Sequence, residues 1–359
     1  MIDILEVENT LMSPELARLY ERTASSPLDD GDRYVVFSDL HMGGGGRNDD
    51  FLRNSDLFIS LLREYYLPEG YGLILNGDIE ELQRCTIEQV KRRWHEVYEL
   101  FGAFRDQTRL IKVFGNHDFD FSIWPDLVKG FCPRESVRLS HKAGDIFIFH
   151  GHQTAGLFER PSAFVQFVLR YVANPLGIHN PSVSHDSRKR YLTEQRIYDF
   201  SRERKIISIV GHTHRPLFES LSKVDSLKYA VESLCREYTT SPPHRKRDIE
   251  ESIRQYRQEL DALTRKDVRR SLRNTLYASN VVIPCVFNSG CVVGKRGITG
   301  IELTGREISL VHWFDKTISS KYLNYHGSEA IPLPGGQYFR AVMGRDFLDY
   351  VFTRIKLLA

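Results

Sequence analysis

The chain has 359 residues, 49 Lys and Arg against 47 Asp and Glu, and a formal charge of +2. Apolar residues at 41% and charged residues at 27% describe a globular chain able to bury one large core or two ordinary ones, and they exclude wholesale disorder. So even a charge balance argues against binding polyanions by bulk charge, and no apolar run approaches the roughly 18 residues of a membrane span. Met1 to Leu11 carries Asp3, Glu6 and Glu8 without a basic stretch, unlike a signal peptide. The cysteines Cys85, Cys132, Cys235, Cys285 and Cys291 contain no C-x-x-C pair. They point away from a disulfide framework and towards a reducing, cytoplasmic setting.

In chain order, Ser13-Pro14 reads as an N-cap with proline in the first turn, opening a helix to about Glu21 in an N-terminal extension, 1–30. Tyr34–Phe37 is a short buried strand that runs into Ser38-Asp39-Leu40-His41. Asp49 to Tyr66 has helical apolar spacing, Leu73–Leu75 is a second strand ending at Asn76-Gly77-Asp78, and Ile87 to Phe104 is helical again. Leu110–Phe114 is a third strand, ending at Gly115-Asn116-His117-Asp118. A fourth, Asp145–His150, ends in His150-Gly151-His152, and a fifth, Ile206–Val210, ends in Gly211-His212-Thr213-His214.

Residues 156–204 form a lid-like helical insert with aromatics at Phe158, Phe164, Phe167 and Tyr171 followed by a basic segment. Residues 218–279 form a second helical insertion, broken near Thr240-Ser-Pro-Pro243. Strand character returns over Val281–Phe287, Gly300–Leu303 and Ile308–Phe314. The extension 316–359 ends in an amphipathic helix over Asp346–Leu358. The alternation of strands and helices describes an α/β layered core over 31–217 and 280–315.

Five strands hand over to Asp, Asn, His or Gly at their carboxyl ends, the edge where α/β sheets bind ligands. Carboxylates, an amide and several imidazoles suit a hard-to-borderline divalent metal; a thiolate-loving ion would want cysteine there. Alternate residues of an extended segment face one side, so both members of Asp39-x-His41 or His212-x-His214 reach one site. Each piece alone is ordinary turn chemistry. Together, each behind a strand, they read as one metal centre.

The ordered set D-x-H, G-D-x-x-E, G-N-H-D, H-G-H and G-H-T-H resembles the calcineurin-like metallophosphoesterase family over residues 33–217, with a return at Phe287-Asn-Ser-Gly290. The resemblance implies an α/β fold, a four-layer α/β-β/α sandwich with helical insertions. It also implies two divalent ions, manganese first, with iron, zinc or magnesium as alternatives. By that likeness Asp39, His41 and His214 hold one ion, Asn116, His150 and His212 the other, and Asp78 bridges them. His117 stands at the position of the general acid, with Asp118 as its orienting partner. Two such ions, ~3.5–4 Å apart, clamp a phosphate and turn a bridging water into a hydroxide nucleophile. A protonated His117 then supplies the leaving oxygen with its proton. Glu81 is expected to accept from a ligand imidazole.

The substrate is less legible. His152 fits a substrate contact, a residue behind the ligands, or a solvated imidazole; Met42-Gly43-Gly-Gly-Gly46-Arg47 fits a phosphate cradle or a plain loop. Arg188, Arg190 and Arg215 are candidate phosphate contacts. The insert before Gly-His-Thr-His-Arg215-Pro216 resembles the UDP-2,3-diacylglucosamine pyrophosphohydrolase branch, which carries Arg where this chain has His117. A histidine there suits a mono- or diester whose alkoxide needs a proton. Arg236 to Arg273 holds eleven Lys and Arg against seven Asp and Glu, so a nuclease using these helices is an alternative. The expected partner is a phosphorylated small molecule or nucleotide, with a non-catalytic scaffold as the remaining reading.

Overall fold

A computed structural model describes residues 14–46, 49–123, 130–154, 187–221, 241–267, 282–320, 322–325 and 328–359, with short pieces between 227 and 239. The strands are Ser25–Pro27 (β1), Arg33–Phe37 (β2), Gly72–Asn76 (β3), Leu110–Val113 (β4), Ser136–His141 (β5), Gly144–Phe149 (β6) and Ile207–Val210 (β7). They continue with Val286–Asn288 (β8), Ile298–Thr304 (β9), Glu307–Asp315 (β10), Asn324–Tyr325 (β11), Ser328–Glu329 (β12), Ile331–Pro332 (β13) and Tyr338–Phe347 (β14). The α-helices are Pro14–Arg22 (α1), Ser55–Leu61 (α2), Ile87–Arg93 (α3), His95–Gln107 (α4), Asp120–Ile123 (α5), Ser187–Arg204 (α6), Pro243–Asp267 (α7) and Leu348–Leu358 (α8).

Two mixed sheets carry the layers: seven strands in the order β13-β14-β10-β9-β2-β3-β4, and five in the order β1-β5-β6-β7-β8. β2, β3 and β4 are mutually parallel in the first sheet, as are β6, β7 and β8 in the second. Period-two alternation sorts the side chains. Tyr34 and Val36 pack with Ile74, Val113, Ile146 and Ile148, whereas Val35 and Phe37 pack with Leu73, Leu75 and the helix residues Phe58, Val97 and Phe101. Against the second sheet, Phe147 meets Tyr20 of α1 and Phe200 of α6 at ring distances of 5.3 and 6.2 Å. The expected four-layer α/β-β/α sandwich is borne out.

Several elements depart from expectation. The helix expected over 87–104 breaks at Trp94, whose indole is buried and donates to Gly43 O and Asp49 Oδ2 instead of continuing the turn. The one expected over 49–66 is a 3₁₀ turn over Asp50–Asn54, then α2, then a π turn over Leu62–Tyr66. The wide turn brings both Tyr65 and Tyr66 against Trp313, at 5.1 and 5.8 Å, where neighbouring residues of an α-helix diverge. β5 and the ten-residue β14 were not foreseen. Of the 156–204 insert, residues 187–204 are α6, and 156–186 lie outside the described residues. In the 218–279 insertion α7 starts at Pro243, where proline needs no donor, and 268–279 lie outside the described residues. Among the described residues no helix is long and apolar enough to cross a membrane.

Candidate metal centre

The carboxyl ends of β2, β3 and β4 meet those of β6, β7 and β8 across the seam between the sheets. Asn76 Nδ2 donates to Phe149 O at 3.0 Å, Ser38 Oγ lies 2.8 Å from Ser289 Oγ, and the His212 amide donates to Asp39 Oδ2 at 3.1 Å. Each strand then turns sharply. Among the described residues nine non-glycine positions have positive φ, and five of them are Asp39 (55°), His41 (49°), Asp78 (53°), His212 (67°) and His214 (54°). Such backbone costs energy and clusters at functional sites. Cross-loop bonds hold it, from the Asp39 amide to Gly77 O and the His41 amide to Asp78 O, both 3.0 Å.

The donors fall into overlapping groups. Asp39, His41 and His214 offer one, Asp78, His150 and His212 another, and His41, Asp78 and His117 a third, in each case with ligand atoms within 4.8 Å of one another. His41 Nε2 and His214 Nε2 face each other at 3.2 Å, and Asp39 Oδ1 is 3.1 Å from His214 Nε2 without forming a directed hydrogen bond. His150 donates from Nδ1 to Asn76 O at 2.8 Å, leaving Nε2 beside Asp78 Oδ2 at 3.1 Å. Asp78 Oδ1 accepts the His117 amide at 2.8 Å.

These residues fit divalent ions. Asp39 Oδ1, Asn116 Oδ1 and His150 Nε2 are buried without a hydrogen-bond partner, and a buried polar atom left so costs about 1–3 kcal/mol. Cations would satisfy all three. The glycines keep the space: a Cβ on Gly77 would fall 2.4 Å from His150 Nδ1, and one on Gly211 2.7 Å from Asp39 Oδ2.

The charges are strongly coupled. Burial works to raise Asp39 and Asp78, but His214 beside the first and His150 beside the second hold both carboxyls below the usual range. Burial lowers His150, yet Asp78 more than reverses this and takes it to about 9. His212 goes the other way, to about 3, through burial and the neighbouring His150. For His117 burial is outweighed by Asp78 and Glu81, raising it to about 9.

The orienting partner of His117 is corrected by the structure. His117 Nδ1 lies 2.9 Å from Glu81 Oε2, not against Asp118. Asp118 is taken up by two other groups, accepting the Gly115 amide of its own turn and, at 2.8 Å, the Ile79 amide of the turn after β3. An Asp that closes its own loop cannot also reach the next ring. Burial takes Asp118 up to about 7. Glu81 serves two rings, since His41 Nδ1 is 3.1 Å from its Oε2, and those rings hold its carboxyl well below normal against burial.

Of the remaining expected contacts, Arg215 lies at the centre's edge, 3.5 Å from Glu194, and Arg190 is half-buried on α6. His152 is buried among His150, Phe114 and Phe119 at ring distances of 5.6 to 6.5 Å, outside the donor groups. Arg47 and the Arg188 side chain lie outside what is described. Asn288 accepts the Gly290 amide and donates to Gly211 O and Thr213 Oγ1, and its Asn-x-Gly turn was the signal for it. Glu194 carried no sequence signal.

The family model for calcineurin-like phosphoesterases matches residues 33–216, just over half the chain and every donor above. Comparison with curated proteins gives no match.

Proposed function

The chain belongs to the calcineurin-like phosphoesterase family, a family of metal-dependent phosphoester hydrolases, and on that premise we propose that it cleaves a phosphate mono- or diester at a two-ion centre. Asp39, His41 and His214 hold one ion in this reading, Asn116, His150 and His212 the other, and Asp78 lies between. The observation that carries it is the pair of donor groups Asp39–His41–His214 and Asp78–His150–His212 at the meeting strand ends. Manganese is taken first, with iron, zinc or magnesium as alternatives that the same nitrogen and oxygen donors accept. When bound, the ions supply an activated water and neutralise charge on the phosphoryl oxygens.

The chain's own residues do the rest. His117, whose Nδ1 faces the Glu81 carboxylate at 2.9 Å, donates to the leaving oxygen. Glu81 fixes that ring and the His41 ring together, so the acid and the first ion keep one geometry. Arg215, and Arg190 beyond it, face an incoming phosphorylated small molecule or nucleotide. The five free thiols support the reading of a reducing compartment.

The manganese-reconstituted chain is expected to hydrolyse p-nitrophenyl phosphate or its bis-ester, and Asp78→Asn to abolish this. His117→Asn should keep its metal and lose on the order of 10²–10⁴-fold on an alkyl phosphate, but far less on p-nitrophenyl phosphate, whose leaving group needs no proton. A protein that takes up no divalent metal and cleaves no ester on a broad panel sinks the proposal.

A further inference from the structure

One helix reaches both halves of the centre. From α6, Glu194 enters the core at 2% exposure and accepts from Thr213 Oγ1 at 2.9 Å. Thr213 is fully buried between His212 and His214, and its hydroxyl also takes a bond from Asn288 Nδ2 at 3.0 Å. The other Glu194 oxygen lies 3.5 Å from Arg215 Nη2, whose side chain is 36% exposed. Two residues along the helix, Arg196 Nη1 donates to Thr154 O at 2.8 Å, in the turn that follows His150.

A carboxylate this buried is expensive unless it is bonded. Its position has a clear consequence. Two left-handed residues with one threonine between them persist only where their surroundings over-determine them, and Glu194 joins Asn288 and Asp39 in bonding the loop from outside it. The second Glu194 oxygen makes no hydrogen bond and faces, at 3.5 Å, the guanidinium of an arginine that is still open to solvent. We infer that Glu194 is a positioning residue that sets the loop 211–215 for metal binding through Thr213 and aims Arg215 at a substrate phosphate. This rests on the two-ion reading above and adds to it the part of the insert that acts on the site.

The test uses the full chain and two probes, Mn²⁺ titrated into apo-protein and inorganic phosphate titrated into Mn-loaded protein. E194A removes the Thr213 bond and the ion pair with Arg215, and is expected to weaken Mn²⁺ binding about 10–100-fold. E194Q keeps an acceptor for Thr213 but loses the charge facing Arg215. It should bind Mn²⁺ within about threefold of wild type while phosphate binding, and 1/KM for p-nitrophenyl phosphate, fall about fivefold, the worth of a partly exposed ion pair. A role confined to stability would not split the two variants in this way.

A folded E194A that binds Mn²⁺ like wild type refutes the inference, and so does an E194Q that loses metal as badly as E194A or binds phosphate unchanged. If E194A does not fold, E194Q decides alone by its phosphate affinity. Wild-type protein that takes up no Mn²⁺ brings down the two-ion reading and this inference together, whereas normal uptake with indifferent variants sinks this inference only.

Discussion

Gly115→Ala probes the centre with one methyl group. A Cβ at this position would sit 2.1 Å from Asp78 Oδ1 and 2.6 Å from the Asp78 amide nitrogen. Ordinary contact begins near 3.5 Å, so the oxygen must retreat by more than about 1 Å. The Asp78 backbone cannot move freely, since its carbonyl accepts the His41 amide at 3.0 Å. Rotating the carboxylate gives up the His117 amide, a charge-assisted bond worth roughly 1.5–3 kcal/mol, and the 2.6 Å contact with the amide nitrogen still forces the two turns apart. Residue 115 is not in left-handed backbone, so alanine carries no conformational penalty of its own and the whole effect passes through Asp78. A displacement near 1 Å costs on the order of 10²-fold in turnover, and overpacking costs about 1–3 kcal/mol of stability. The assay is p-nitrophenyl phosphate hydrolysis with Mn²⁺, beside metal titration and urea unfolding. Gly102, inside α4 with nothing within 4 Å of its Cβ position, is the control. Alanine there should stabilise by roughly 0.5–1 kcal/mol and leave turnover alone. A G115A protein within threefold of wild type in both metal affinity and kcat/KM refutes the placement of Asp78 at the heart of the site.

Three further outcomes follow from other parts of the molecule. Arg340 and Glu302 form a buried pair, joined by Tyr66 Oη at 2.9 Å from Glu302 Oε1, so R340M strands a carboxylate in the core. It should cost about 3–5 kcal/mol in urea unfolding, with E302Q/R340M recovering part, and a loss under about 1 kcal/mol contradicts the pairing. His141 accepts the Ala143 amide at Nδ1 and donates from Nε2 to Gly305 O, and burial pushes its pKa below the ordinary value. The folded chain then binds fewer protons than the unfolded one, so stability is full above about pH 6.5 and is lost as pH falls below it. H141Q should flatten that limb between pH 7.5 and 5.5; an unchanged slope would show that His141 does not contribute. Removing divalent metal with a chelator should lower Tm, since an ion held at 100 times its Kd adds about 2.7 kcal/mol, roughly 3–5 °C at this length. A Tm indifferent to chelator and to added Mn²⁺ speaks against a preformed centre.

The strands that lead into the donors were legible because each is a short, largely apolar run that reaches Gly, Asp, Asn or His within two residues, as at Tyr34–Phe37 and Ile206–Val210. What escaped is non-local. β14 interrupts its apolar pattern with Arg340, Gly344 and Arg345, and nothing nearby announces that Arg340 will be neutralised by Glu302, 38 residues earlier. β5 is Ser136-Val-Arg-Leu-Ser-His141, with only Val137 and Leu139 to mark its buried face. The helix break at Trp94 depends on acceptors at Gly43 and Asp49, about 50 residues away, while the local capping box at Thr86 and Gln89 predicts only where the helix starts.

The site divides along the same line. A donor's identity is written in its own residue, so Asp39, Asp78, His150 and His212 can be picked out one motif at a time. Orientation is written elsewhere, and that is why Asp118 was given the task that Glu81 performs. Next to His117 in sequence, Asp118 is spent on the Gly115 and Ile79 amides. Glu81 leaves the β3 turn three residues after Asp78 and arrives between the His41 and His117 rings. The left-handed backbone at five donors was equally hidden, because Asp and His do not advertise it as glycine does. That strain is held by bonds between loops, from Asp39 to Gly77 and from His41 to Asp78, and by the bond from Thr213 to Glu194 on α6. Donors tied to one another in this way cannot relax singly, so a change at any loop should reach both ion positions, which is how a single methyl at residue 115 and a single carboxylate on α6 come to test the same centre.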